Sequence, residues 1–227
     1  MGNEVARPAF YALRSGGWRD YVTLVHPPYT LWHLSYVAIG AAIAPELKWG
    51  LLGWTALAFL LAMGVGAHAL DELQGRPLRT RIPNGVLVTL AGASIGAAAA
   101  IGIVVALRTT LWLLAFVAFG VAIVIAYNLE LFGGRLHTPF WFAGAWGAFP
   151  TLTAYFASAQ RVRGEAVAAA AFALVTSLVQ QRLSTDVRFA RRRAGDPSLA
   201  RTAETALELM AVAMPLLAAS LLLARVG

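Results

Sequence analysis

Long apolar runs separated by short polar stretches dominate the chain. Seven of these runs are bounded by proline, glycine or charged residues. They approach the roughly 17–25 residues that a helix needs to cross a hydrocarbon core about 30 Å thick. We therefore predict seven transmembrane helices, at 29–44, 50–70, 86–107, 111–128, 140–157, 166–183 and 206–226. The pattern predicts an all-α integral membrane protein with a single transmembrane domain over 1–227, whose polar segment 1–20 lies along the membrane surface.

Composition supports the same class. Of 227 residues, 59% are hydrophobic and only 13% are charged, and the mean hydropathy is +0.68. An ordinary soluble domain has about 25% charged residues, so this chain requires lipid as its main solvent. There are no cysteines, which excludes disulfides, thiolate metal sites and cysteine nucleophiles. The net charge of +7 does not point to a nucleic-acid partner, because basic loops are the ordinary orientation signal of membrane proteins.

The basic residues are distributed unevenly between the two predicted faces. With the N-terminus inside, 13 of the 18 basic residues lie in cytoplasmic segments and 5 lie outside. This bias predicts a cytoplasmic N-terminus and, with seven spans, an external C-terminus. The richness in arginine and alanine suggests a prokaryotic inner membrane. The long polar segments after spans two and six then share the cytoplasmic face.

Two short matches indicate an internal duplication. The start of span one, at His26, recurs at the start of span five, at His137, 111 residues later. Arginines at 76, 79 and 81 recur at 188, 191 and 193. A four-span unit keeps both copies in one orientation, so we predict pseudo-repeats at about 21–130 and 131–227 and a ring of helices built 4 + 3. A chance match is the alternative. Within span three, Gly92 and Gly96 predict close helix packing.

The densest group of ionisable residues closes span two. His68, Asp71 and Glu72 stand at helical spacings that place them on one face. Two carboxylates at a membrane rim can hold Mg²⁺ together with substrate phosphates, and the arginines beyond them can grip phosphate oxygens. The predicted diphosphate-binding arginines are Arg76, Arg79, Arg81, Arg182 and Arg188. The alternative is an interfacial ion cluster in which the two acids pair with Arg76 and Arg79.

The segment after span six supplies the opposite side of the predicted site. Asp186 is the counterpart of Asp71, and we predict Asp71, Glu72 and Asp186 as both catalytic and Mg²⁺-binding carboxylates. A local salt bridge is the alternative for Asp186. Asn128, at the end of span four, either adds an oxygen ligand or ends its helix.

This pattern resembles the UbiA superfamily of intramembrane prenyltransferases. The resemblance covers most of the chain and is carried by His26-Pro27-Pro28-Tyr29-Thr30, Asp71 with Arg76-Pro77, Ala126-Tyr127-Asn128, and the region of Asp186. In the family's first motif, N-x-x-x-D-x-x-x-D, Asp71 takes the central position. In the second, D-x-x-x-D, Asp186 takes the last.

The resemblance implies an enzyme that acts on an isoprenoid diphosphate, by prenyl transfer or terpene cyclisation, with Mg²⁺-assisted departure of diphosphate. It also implies an apolar cavity in which aromatic rings stabilise a carbocation. The residues predicted to line that cavity are Trp32, Tyr36, His68, Tyr127, Asn128, Trp141, Trp146, Phe149 and Tyr155.

Three other classes of membrane protein are alternatives: a lipid- or partner-binding protein, a sugar carrier and a rhodopsin. Gly75 and Arg182 occupy the other aspartate positions of the two motifs, and these missing carboxylates favour a non-catalytic lipid- or partner-binding protein that retains the ring. Sugar carriers also have seven spans, but their repeats have three spans and a linker. A rhodopsin is excluded, because the single lysine, Lys48, lies in a predicted external loop and cannot form a retinal Schiff base inside the bundle.

Overall fold

The computed structural model describes residues 9–193 and 197–226, and every regular element in them is helical. Residues 1–8 of the predicted surface segment lie outside the described residues, as do the side chains of Arg191 and Arg193. The helices are α1 (Trp18–Leu24), α2 (Pro27–Ala42), α3 (Trp49–Leu73), α4 (Asn84–Arg108), α5 (Leu113–Asn128), α6 (139–159), α7 (Gly164–Arg193) and α8 (Pro197–Leu223).

Each of the seven predicted spans coincides with one of the helices α2 to α8. Four helical stretches are long and apolar enough to cross a membrane, namely Trp49–Leu73, Asn84–Arg108, Gly164–Ala190 and Ala200–Leu223. The chain is therefore a helical membrane protein. The apolar helix α5 is shorter, with 16 residues.

Two of the helices contain π-helical turns. In α3 these turns cover Leu60–Ala67, and in α6 they cover Gly144–Ala148. Such turns often mark functional regions of helices. Both stretches contribute to one apolar cluster, in which Met63 and Trp146 are buried together. This cluster joins α2, α3, α4, α5 and α6.

The helices pack in two groups that meet at α2. Helix α4 packs against α3 and α5, whereas α2 packs against α6 and α8, and α7 packs against α6 and α8. The closest approach lies between α2 and α6, where a Cβ atom added at Gly40 would stand 2.1 Å from the Thr151 carbonyl oxygen.

The packing predicted for Gly92 and Gly96 is wrong. Both residues are exposed, and a Cβ atom at either position would meet nothing within 4 Å. Close approaches to the backbone of another helix occur instead at Gly40 and at Gly147, whose added Cβ would lie 2.5 Å from the Ala173 carbonyl oxygen. The two glycines lie on an exposed side of α4, where no other described helix packs against them.

The segment after predicted span six is a continuation of α7. The helix runs without a break from Gly164 to Arg193, ten residues past the predicted end of the span at 183. From 184 to 193 the sequence is polar but contains no glycine or proline, so nothing in that stretch ends the helix; the first glycine is Gly195. Arg182, Asp186 and Arg188 are therefore helical residues and not loop residues.

Candidate functional site

Charged and aromatic side chains converge at one end of the bundle, where α3 and α5 end and α2 and α6 begin. We call this end the Asp71 end. Asp71 is half-buried in the last turn of α3 and lies within electrostatic range of Arg188 on α7 and of His137 at the start of α6. Glu130, just after α5, lies within the same range. The structure thus brings together the two segments that sequence analysis assigned to the site.

Two tyrosines flank this pair of charges. Tyr11, in the segment before α1, and Tyr127, on α5, are each within electrostatic range of both Asp71 and Arg188. Tyr127 also stacks on His137, with ring centroids 4.4 Å apart. We refer to Tyr11, Asp71, Tyr127, His137 and Arg188 as the Asp71–Arg188 site. It combines one carboxylate, one guanidinium and hydroxyl groups that can bond an anion.

The hydroxyl of Tyr11 keeps its proton at neutral pH. Burial raises its pKa well above the usual value, Tyr29 and Asp71 raise it further, and Arg188 opposes them. A protonated phenol is a hydrogen-bond donor, so Tyr11 can donate to a ligand oxygen. The pKa of His26, just before α2, is lowered by burial and by the neighbouring His68 and His33. His26 therefore carries no charge into the site.

His26 and His68 form a stacked pair beside the site. Their ring centroids are 3.9 Å apart, and the rings are inclined by 18°. His68 Nδ1 donates to the Gly64 carbonyl oxygen at 3.1 Å, so the resident tautomer leaves its Nε2 as an acceptor. His26 Nε2 is a buried polar atom without a partner.

Glu72 holds the loop between α3 and α4. Its side chain is fully buried, and its Oε1 accepts from the Thr80 amide and the Thr80 hydroxyl, both at 2.8 Å. Its Oε2 accepts from the Leu78 amide at 3.0 Å. Both carboxylate oxygens thus accept hydrogen bonds from the loop. These bonds explain why a carboxylate can be buried here without a metal ion.

Arg76 holds the same loop from its other side. Its Nη1 donates to the carbonyl oxygens of Thr80 (3.1 Å) and Ile82 (2.6 Å), and its Nη2 donates to the Asn84 side chain. Arg76 and Arg79 both have a φ of +57°. Arg79 and Arg81 point outward and are exposed. Among the predicted diphosphate-binding arginines, Arg188 is the one placed beside Asp71.

We expect Glu72→Gln to lower the free energy of unfolding by about 1–3 kcal/mol with no ligand or metal present. The amide NH₂ would face a backbone N–H, which leaves a buried donor without an acceptor. A thermal melt of the purified protein in EDTA measures the effect. Asp186→Asn is the matched control, because Asp186 is exposed. Equal melts for Glu72→Gln and the unsubstituted protein would contradict the loop-holding role.

Asp186 pairs within its own helix. Its Oδ2 lies 3.5 Å from Arg182 Nε, and both side chains are more than half exposed. Arg188 Nη2 donates to the Thr185 hydroxyl at 3.0 Å, which orients the guanidinium along α7. Asp186 therefore forms the local salt bridge that was its alternative to a role in metal binding.

The described side chains do not fit a preassembled Mg²⁺ site. Among residues 9–193 and 197–226, no three histidine, aspartate or glutamate side chains are grouped so that they could hold a metal ion. Glu72 is engaged by the loop and Asp186 by Arg182. The predicted Mg²⁺ binding stays a prediction.

The residues predicted to line a cavity are spread over the bundle. Near the site, Tyr127 and Trp146 are in ring contact (4.7 Å), Trp141 is half-buried, and Asn128 bonds its own helix through the Val124 carbonyl. Trp32 and Tyr36 lie in the core, where Trp32 Nε1 donates to the Tyr36 hydroxyl at 2.6 Å. Tyr155 lies at the opposite end and donates to Glu165 at 2.6 Å.

A cavity of about 100 Å³ lies between α3, α4, α5 and α6, away from the Asp71 end. Its lining is almost entirely apolar and includes Phe59, Ala62, Gly102, Gly120 and Phe149. Phe149 is the predicted lining residue that takes part in it. Ala62 precedes Asp71 by nine residues on α3, so at about 1.5 Å per residue the cavity begins roughly 13 Å from the site.

Sequence analysis missed several groups of the site. Tyr11 precedes the first helix in an irregular segment, where no periodicity indicates which side chains point inward. His137 was noted only as part of the repeat, and its position at a helix start matching that of His26 was the available signal. Tyr29, whose hydroxyl lies 3.5 Å from Ser184 Oγ on α7, was named only as part of the motif that carries the family resemblance.

No family model matches the chain, and neither a curated protein nor a solved structure matches it.

Proposed function

We propose that this chain is a UbiA-like intramembrane enzyme that acts on an isoprenoid diphosphate, by prenyl transfer or terpene cyclisation. The proposal rests on one observation above all. Asp71 and Arg188, which are distant in sequence and lie on different helices, are within electrostatic range of each other at one end of an apolar bundle. A lipid with an anionic headgroup has the matching chemistry, a charged end for this site and an apolar chain for the interior.

The proposed reaction begins with the headgroup against the Arg188 guanidinium, whose planar fork suits phosphate oxygens. Tyr11 and Tyr127 donate to the remaining oxygens. The bond between the allylic carbon and the diphosphate oxygen breaks, and its electron pair leaves with the diphosphate. The Asp71 carboxylate and the ring faces of Tyr127 and Trp146 stabilise the resulting carbocation. An acceptor or a double bond of the same chain captures the cation, and loss of a proton completes the product.

A second candidate is a non-catalytic protein that binds such a lipid or a partner. It is favoured by the engagement of Glu72 and Asp186 in bonds within the protein, which leaves Asp71 alone among the three predicted metal-binding carboxylates.

The proposal includes the membrane arrangement. We propose that all of α2 to α8 cross the bilayer as a ring of two pseudo-repeats. The N-terminus is cytoplasmic and the C-terminus external, in a prokaryotic inner membrane. The coincidence of the seven apolar runs with seven helices supports the number, and the arginine bias supports the orientation. The Asp71 end is then cytoplasmic, where soluble diphosphate can leave.

The test is incubation of the purified protein with dimethylallyl, geranyl, farnesyl and geranylgeranyl diphosphate, with and without Mg²⁺. We expect diphosphate release with at least one of them. We also expect a raised Tm, because a ligand that binds only the folded state stabilises it by about 2.7 kcal/mol at 100 times its Kd. A raised Tm without release supports the second candidate. Neither effect with any of the four lipids would overturn both.

A further inference from the structure

The segment that precedes α1 covers the start of α2 and brings Tyr11 within electrostatic range of Asp71 and Arg188. In residues 9–17, the Phe10 ring packs edge-on against Tyr29 (6.0 Å), and the Tyr11 ring contacts Tyr29 (5.4 Å) and His26 (5.3 Å). Ala12 is almost completely buried. A segment expected to lie along the membrane surface thus covers the start of α2 and places Tyr11 beside Asp71 and Arg188.

Asp20, in the first turn of α1, fastens this segment to the loop between α3 and α4. Its side chain is 3% exposed. Its Oδ1 accepts from the Gly16 amide at 2.8 Å, and its Oδ2 accepts from the Arg81 amide at 2.8 Å. One carboxylate therefore bonds the covering segment with one oxygen and the loop that follows Asp71 with the other.

Two further features shape the covering segment. Gly16 and Gly17 have φ values of +120° and +63°, which allow the chain to reverse direction between the segment and α1. The Leu13 amide donates to the Thr23 hydroxyl at 3.0 Å, across that reversal. Hydrogen bonds and ring contacts thus hold the segment against α1, α2 and the loop that follows α3.

We propose that residues 9–17 form a lid over the Asp71–Arg188 site, that Asp20 is its latch, and that the Tyr11 hydroxyl bonds the ligand's headgroup. The identity of the headgroup rests on the function proposed above, whereas the lid and its latch do not. Opening the lid exposes the half-buried Asp71 from the side on which the headgroup enters. Closing it adds one hydrogen-bond donor and removes water from the charges.

The latch can be tested without a ligand. The chain has no cysteine, so Ser15→Cys places a single thiol on the exposed part of the lid for a spin label. We expect Asp20→Asn to increase the mobility of this label, because an amide cannot accept from both backbone N–H groups. Glu46→Gln, an exposed acid paired with Lys48, is the control. Thr23→Val removes the hydrogen bond from the Leu13 amide and should increase the mobility of the label by a smaller amount. Unchanged mobility in both variants would overturn the latch.

The ligand contact is tested with inorganic pyrophosphate and with farnesyl thiodiphosphate. We expect Tyr11→Phe to weaken both by roughly tenfold or more, the usual effect of losing a hydrogen bond to a charged group. Tyr21→Phe is the control, since Tyr21 is exposed on α1. Asp20→Asn should speed both association and dissociation of the thiodiphosphate.

The outcomes separate the two proposals. If the unsubstituted protein binds neither probe, the headgroup contact and the proposed function fall together, and label mobility still decides the latch. If the thiodiphosphate binds through Arg188 but Tyr11→Phe and Asp20→Asn change neither affinity nor rates, the proposed function stands and the lid is overturned.

Discussion

We expect the Gly40→Ala variant to give little folded protein. The Gly92→Ala variant should give as much folded protein as the unsubstituted chain. A Cβ atom at Gly40 would lie 2.1 Å from the Thr151 carbonyl oxygen and 2.9 Å from its carbonyl carbon. These are backbone atoms of α6, so no side chain can rotate away, and α2 and α6 must separate. Overpacking in a core costs about 1–3 kcal/mol, and rigid backbone places this substitution at about 3 kcal/mol or more.

The comparison with Gly92 removes the general effect of alanine in a helix. Gly92 is exposed on α4 with nothing within 4 Å of an added Cβ atom. There alanine is a better helix former than glycine by about 1 kcal/mol, so the Tm of Gly92→Ala should stay level or rise. The yield of monodisperse protein in detergent and a thermal melt measure both variants. Equal yields and melts would show that α2 and α6 are not in direct backbone contact.

These two glycines illustrate how far the sequence can predict this fold. The apolar runs predicted the position of all seven long helices, because a run long enough for a membrane has no other stable conformation in lipid. They did not predict which side of each helix meets a neighbour. Lipid is as apolar as the protein interior, so a lipid-facing side and a buried side carry the same residues. Gly92 and Gly40 are alike in sequence and opposite in environment.

The site was predicted in part for a related reason. A charge at the end of an apolar helix is costly and therefore conspicuous, which is why Asp71 and Arg188 were both singled out. What a given carboxylate bonds depends on the turn that follows it. Glu72 was predicted as a metal ligand, and the loop at Leu78 and Thr80 turns back to engage it. Tyr11 lies in an irregular segment, where sequence carries no periodic signal.

Arg188→Gln is expected to reduce the affinity for an isoprenoid diphosphate by about 10²-fold and to abolish the rise in Tm that the ligand produces. The variant keeps a polar side chain of similar helix propensity, but it loses the guanidinium charge proposed to face the headgroup, together with the Nη2 bond to Thr185. Arg108→Gln is the matched control, because Arg108 is exposed at the opposite end of the bundle. Thermal melts with and without ligand measure the effect. An equal rise in all three proteins would remove Arg188 from the headgroup site.

Asp71→Asn tests whether Asp71 is catalytic, because in an enzyme that uses this carboxylate the substitution is expected to change ligand binding and turnover in opposite directions. A carboxylate near Arg188 repels an anionic headgroup, so in the absence of Mg²⁺ its removal should tighten ligand binding in either case. If Asp71 also stabilises the carbocation, turnover falls by about 10²-fold or more although binding improves. Diphosphate release at saturating lipid, measured beside the ligand-induced rise in Tm, gives both quantities. Tighter binding with unchanged turnover would show that Asp71 only tunes the charge of the site.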